Sequence, residues 1–184
     1  MTKNIGILVG SLRKESFSKK IAETFSKLFP EEYNVTFIHL DGLDMYNQDF
    51  DDVGPVPESL TAFREKMKSI DAVLFVTPEY NRSVPAVLKN ALDVGSRPYG
   101  ASVWDKKPAA IVSVSPGAIS GFGANHHLRQ SLVFLNMPTV QQPEAYLGNV
   151  TSMLNEDGTV TNENTLQFFQ AITDSFVDLI QKNS

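Results

Sequence analysis

Short, wholly apolar runs alternate along the chain with stretches in which apolar residues recur every three or four positions. "NIGILVG" (4–10), "DAVLFVT" (71–77) and "KPAAIVSVS" (107–115) have the length and composition of strands buried on both faces. "NVTFIHL" (34–40) supplies another strand, and a short fifth one is expected near "PTV" (138–140). Between them, Ile21, Phe25, Leu28 and Phe29 share one side of a helix over 17–29, and Leu60, Phe63 and Met67 share one side of another over 58–69. Helices are also expected over 84–96, 123–136 and 163–182, the last with Leu166, Phe169, Ile172, Phe176 and Leu179 at three- and four-residue steps. Strands alternating with helices specify a parallel sheet covered on both faces through right-handed crossovers. The pattern therefore predicts an α/β, doubly wound five-stranded sheet of order 2-1-3-4-5. No repeat or long linker divides the chain, so residues 1–184 are expected to form a single domain.

Composition narrows the chemistry. With 42% hydrophobic and 20% charged residues the chain has the make-up of a soluble globular protein. No apolar run approaches the roughly 18 residues that would span a bilayer. The N-terminus enters an apolar strand with no basic segment and cleavage site before it, so a cytoplasmic location is expected and no membrane association. Sixteen basic against 21 acidic residues leave a net charge of −5, which offers no broad positive field to nucleic acid. The chain has no cysteine, which removes disulfides, thiolate nucleophiles, iron–sulfur clusters and thiol redox chemistry together. Any electrons it moves must reside on a bound cofactor. His126 and His127 are adjacent on a helix and face different directions, with no third ligand at metal spacing, so no metal site is expected. No G-x-S-x-G elbow or candidate triad supports a hydrolase.

In a doubly wound sheet, ligands sit beyond the carboxyl ends of the strands where strand order reverses. That singles out the loops after the first, third and fourth strands. "GSLRKESFS" (10–18) leads into a helix, and Ser11, Ser16, Ser18 and Arg13 beside its free amides suit a terminal monophosphate. The same residues also make a hydroxyl-capped helix start with a solvated arginine. The loop is neither a Walker A nor a G-x-G-x-x-G sequence, which argues against a nucleoside triphosphate or a Rossmann-bound dinucleotide. "TPEYNRSVPAVLKNALD" (77–93) places Tyr80 and Asn81 at the sheet edge, with Ser83 and Pro85 at a helix start. This suits a flat heteroaromatic ligand, or a plain turn with Tyr80 packed as a lid on its own core. "SVSPGAISGFGAN" (113–125) carries Gly117, Gly121 and Gly123, as a loop that closes on a ring system or as a flexible connection.

Taken in order, "GSLRKESFSKKIA", "VTPEYNRSVPAVLKNALD" with "SRP" shortly after, and "HHLRQSLVFLNMPTVQQPEAYLG" resemble the NAD(P)H-dependent FMN reductase family, and within it the bacterial quinone-, chromate- and azo-dye-reducing flavoproteins. The resemblance implies a flavodoxin-like fold with FMN across the carboxyl edge of the sheet. By it, Ser11, Arg13, Ser16, Phe17 and Ser18 correspond to the loop that holds the FMN phosphate. Pro78, Glu79, Tyr80, Asn81 and Ser83 correspond to the loop bordering the isoalloxazine, and Ser115 and Gly117 to the loop closing its far edge. Where relatives often carry two consecutive glycines, this chain has Ser120-Gly121-Phe122-Gly123.

The implied activity is hydride transfer from NADPH or NADH through FMN to a quinone, azo dye, free flavin or chromate. No catalytic side chain is expected, because the flavin carries the reaction. With no dinucleotide fingerprint and no second domain, donor and oxidant should visit one flavin face in turn, giving ping-pong kinetics. The alternatives are a flavodoxin-type electron carrier and a flavin-binding protein without significant turnover. The resemblance also implies a homodimer or homotetramer with flavin sites near subunit contacts, for which 97–106 and the segment with Arg129 and Glu144 are candidates.

Overall fold

The period-two pattern of the apolar runs becomes a two-sided sheet in the computed structural model, which describes residues 2–183. Strands β1 (Lys3–Val9), β2 (Tyr33–Ile38), β3 (Ala72–Pro78), β4 (Ala109–Val114) and β5 (Ala145–Leu147) are all parallel and lie in the order β2-β1-β3-β4-β5. Successive residues point to opposite faces. Ile5, Ile7, Leu74, Val76, Val112 and Val114 face α1 (Phe17–Phe25) and α6 (Glu163–Lys182). Leu8, Val73, Phe75 and Ile111 face α3 (Glu58–Lys68), α4 (Ala86–Gly95) and α5 (Phe122–Phe134). Apolar side chains on both faces explain why the strands read as continuous hydrophobic runs.

Two cores result. On one face Phe25 of α1 stacks on Phe169 of α6 with ring centroids 4.6 Å apart. On the other, Trp104 is fully buried, with Phe63 and Phe75 at 6.1 and 6.2 Å, and its indole N–H donates to the Leu92 carbonyl at 3.0 Å. A Cβ on Gly95 would meet that indole at 2.5 Å, so the close approach of α4 to Trp104 requires glycine there. Trp104 is thus a core residue of the 97–106 loop, and only Tyr99 of its two aromatics is on the surface.

The fifth strand differs from expectation. In "PTV", Thr139 forms only an isolated bridge to Ala109, and the chain then turns before Ala145–Leu147 pairs with Val112–Val114. Pro138 and Pro143 lack the N–H groups a ladder through 138–144 would need. The first helix also ends at Phe25, short of residue 29, and closes in tightened turns, Lys27 N–H to Thr24 and Leu28 N–H to Phe25. Pro30 disfavours helical backbone at the residue before it, yet Leu28 and Phe29 still pack against the core. A short helix, α2 (Asp49–Asp52), lies in the 41–57 stretch. It is held from afar: the buried Arg64 guanidinium grips Asp51 through two hydrogen bonds of 2.7 and 2.8 Å and donates to the Val94 carbonyl at 3.0 Å. Among the described residues no helix is long and apolar enough to cross a membrane.

Candidate functional site

Strand order reverses between β1 and β3, where the chain leaves β1 for one face of the sheet and β3 for the other. Helices diverging from neighbouring strand ends leave a crevice there. The loops after β1, β3 and β4 close around it to form a cleft of about 220 Å³.

The β1–α1 loop contributes Ser11, Arg13, Ser16, Phe17 and Ser18 to its lining. Ser16 is the N-cap of α1, its hydroxyl accepting the Lys19 N–H at 3.2 Å. The cap leaves the amides of Phe17 and Ser18 at the positive end of the helix with no acceptor among the described residues. Ser18 is buried, and its hydroxyl makes no hydrogen bond to the described residues. Arg13 is exposed and makes no direct ion pair among the described residues, whereas the Lys20 ammonium is bonded to Glu15 at 2.8 Å and, with a smaller contribution from Arg13, holds that carboxyl below its usual range. The Ser11 hydroxyl accepts the Arg13 amide at 3.4 Å. Unpaired amides, a free hydroxyl and a free guanidinium at one end of a cleft form an oxyanion cradle.

The β3–α4 loop contributes Pro78, Glu79 and Tyr80. Beyond Tyr80 the chain reverses: Tyr80 and Ser83 exchange backbone hydrogen bonds of 3.2 and 3.0 Å around Asn81 (φ 52°) and Arg82 (φ 63°). Two positive φ values make this a type I′ turn. The Asn81 and Arg82 amides take no acceptor among the described residues. Tyr80 is 46% exposed, so it borders the cleft and is not packed as a lid. The Glu79 carboxylate is already engaged: it accepts from the Ala124 amide at 3.0 Å and from Arg82 at 3.1 Å.

From the β4–α5 loop come Ser115, together with Val114 and Pro116, which sequence reasoning did not single out. Ser115 is tied down through its amide to the Leu147 carbonyl, and its hydroxyl accepts the Gly117 N–H at 3.1 Å. Asn81, Ser83 and Gly117 lie outside the lining, at the tip or base of the same loops. No local sequence signal separates Val114 and Pro116 from their neighbours. Their place follows from the register: Val114 ends β4 level with Pro78 of β3, so Pro116 begins the loop beside the one that carries Glu79 and Tyr80.

The departure at 120–123 has a steric reason. An added Cβ on Gly123 would come within 2.7 Å of the Arg82 carbonyl oxygen and 2.9 Å of the Glu79 carboxylate. Gly123→Ala gains up to about 1 kcal/mol of helix propensity. Overpacking against fixed backbone costs about 1–3 kcal/mol and should win. A thermal melt should show a lower Tm than the wild type; an unchanged or raised Tm would mean that the Tyr80–Ser83 turn yields freely.

Among the described residues no group of His, Asp and Glu could hold a metal ion. Another depression, of about 310 Å³, sits beside β2 and is lined by Phe37, Leu43 and Phe63 together with His39, Asp41 and Lys66, away from the strand-order reversal.

Comparison with known proteins gives a consistent set of relatives. The family described as NADPH-dependent FMN reductase matches residues 3–152. A quinone reductase of Pseudomonas putida is 52% identical over 180 residues, 98% of this chain and 96% of that protein. A 2-hydroxy-1,4-benzoquinone reductase of a Burkholderia species is 41% identical over 176 residues, covering 96% and 95% of the two chains. Among solved structures, the flavoenzyme NAD(P)H:(acceptor) oxidoreductase FerB of Paracoccus denitrificans superposes with a TM-score of 0.90 at 38% identity, over 98% of each chain.

Proposed function

The chain belongs to the NADPH-dependent FMN reductase family and is an oxidoreductase that uses FMN with NAD(P)H as electron donor, and we propose that FMN lies in the cleft at the β1/β3 reversal and that quinones are its oxidants. The observation that supports this reading is the donor set: Arg13, Ser18 and the start of α1 line the cleft, and just beyond Tyr80, outside the lining itself, the turn carries the Asn81 and Arg82 amides. Those groups fit the two polar ends of FMN, a phosphate and the heteroatom edge of a ring.

Bound FMN supplies the two-electron chemistry, accepting hydride from reduced nicotinamide and delivering it to the oxidant. The chain's own work is binding and tuning. Arg13, Ser11 and the amides at the start of α1 anchor the phosphate. The Asn81 and Arg82 amides are fixed dipoles that favour negative charge at the ring edge when it is reduced. Tyr80 and Pro116 border the ring, Ser115 closes its far side, and no side chain of the cleft is assigned acid or base work.

The sequence carries no G-x-G-x-x-G dinucleotide fingerprint, which supports NAD(P)H and quinone using the same cleft in turn. A homo-oligomer belongs to the same proposal: Tyr99, Val133 and Phe134 are 90%, 74% and 78% exposed, and Tyr99 and Phe134 share a depression of about 390 Å³ with Arg97. Arg129 and Glu144 are less available for contacts. Arg129 is bonded to Asn125 and the Val140 carbonyl, each at 3.0 Å, while Glu144 accepts the Tyr146 phenol at 2.7 Å. Burial, then that bond, pushes the Tyr146 phenol up to about 12.

The experiment combines gel filtration after FMN loading with steady-state kinetics. Retention of one FMN per chain, a mass of two or four chains, and parallel double-reciprocal lines with NADPH and a benzoquinone are expected. Colourless protein would sink the reading. Converging lines would show that both substrates bind together. Azo dye, free flavin and chromate in place of quinone define the acceptor range.

A further inference from the structure

We infer that the first two turns of α5 hold the Tyr80–Ser83 turn in place, and that Glu79 and His127 are positioning residues for the ring end of the cleft. This rests on the FMN reading above. Neither side chain needs to touch cofactor or substrate. Each acts through an atom of the other segment.

The turn's own bonds are the Tyr80–Ser83 backbone pair and the Glu79–Arg82 ion pair at 3.1 Å. Both of its central residues have left-handed backbone, which asparagine tolerates but arginine does not favour. Such backbone persists where surrounding structure over-determines it. Here α5 supplies that structure at both ends of the turn. On the entry side, the Glu79 side chain is 10% exposed and its carboxylate accepts the Ala124 N–H at 3.0 Å. The N-cap of α5 is Gly121, which has no side chain to satisfy the first amides, so a carboxylate from the β3–α4 loop does this instead. The charge also sits favourably at the positive end of the helix. On the exit side, the Ser83 hydroxyl lies 3.0 Å from His127 Nδ1, one helical turn further along α5. Gly123 brings the helix backbone against the Arg82 carbonyl between these two contacts. Three points of contact with a rigid helix fix the turn, and with it the direction of the Asn81 and Arg82 amides.

The adjacent histidine does something else. His126 lies against Phe122 and pairs with the Tyr146 hydroxyl at 3.0 Å, pointing away from the turn. His127 alone connects the helix to Ser83.

Four variants test the inference: His127→Leu and Glu79→Ala, which remove the polar atom, and His127→Asn and Glu79→Gln, which keep one near the same place. His127 is exposed, so its replacement leaves the core intact. Loss of one such hydrogen bond should weaken FMN and riboflavin alike by about three- to tenfold, because the phosphate end is untouched. The midpoint potential of bound flavin should fall as the ring-edge donors lose their aim, and Asn and Gln should restore both affinity and potential. In FMN-free protein, the Ser83 amide, bonded to the Tyr80 carbonyl at 3.0 Å, should exchange hydrogen faster in the Leu and Ala variants. Wild-type affinities and potential in both of those variants would overturn the inference, as would losses that Asn and Gln fail to restore. If the wild-type protein bound no FMN, the cofactor reading would fall, and unchanged Ser83 exchange would separately refute the clamp.

Discussion

Arg13→Ala should weaken FMN by about ten- to a hundredfold while leaving riboflavin nearly unaffected. The guanidinium makes no direct ion pair among the described residues, feels only the exposed Glu15, and stands in solvent at the phosphate end of the cleft, so its removal strands no buried group. What is lost is a charge-assisted hydrogen bond to a phosphate dianion, about 1.5–3 kcal/mol. Riboflavin lacks that phosphate. Titration of the apoprotein with each flavin, followed by quenching of flavin fluorescence, reads both affinities, and the Tm of the flavin-free protein should not move. Equal losses for the two flavins would make Arg13 part of the scaffold.

The largest effect on stability is expected at Trp104. Truncating a fully buried tryptophan to alanine costs about 3–5 kcal/mol, since lost transfer energy and an unfilled cavity add. In a chain of this length, that is a fall in Tm on the order of 10 °C. The site cannot easily collapse, because Gly95 offers no side chain to swing in and Phe63 and Phe75 are held by a helix and a central strand. FMN affinity at low temperature should change little. Trp104 precedes β4, at the opposite edge of the sheet from the cleft. A drop of less than about 2 °C would show that the 97–106 loop contributes little to the core.

Sequence patterning reached the sheet because its information is local and periodic. The runs at 4–10 and 71–77 lie within a residue of β1 and β3, and the 163–182 helix coincides with α6. Three-residue β5 was out of reach, since "AYL" is too short to show a period while "PTV" looks just as strand-like. The short α2 was equally hidden, because what holds Asp51 is an arginine on another helix. At the site, residue type revealed the phosphate loop, whose donors are contiguous in sequence. Residue type did not reveal what Glu79 does. Its acceptor role is set by Ala124, 45 positions away, and His127 reaches Ser83 across 44. Fold alone does not separate the electron-carrier alternative from the enzyme, and similarity to quinone reductases decides for the enzyme.

The stacking of Phe25 on Phe169 has a consequence for the order in which the protein is made. The helix that opens the phosphate loop is near the start of the chain, and α6, which covers it, is at the end. Until α6 leaves the ribosome, Ile21 and Phe25 lack the half of their core formed by Phe169, Ile172, Phe176 and Ile180. The nascent chain therefore carries an exposed apolar sheet face through almost all of its synthesis. The segment common to the family, residues 3–152, ends before the helix that would shield it. Completion of that core, and with it the seating of the helix behind the phosphate loop, waits on the docking of α6.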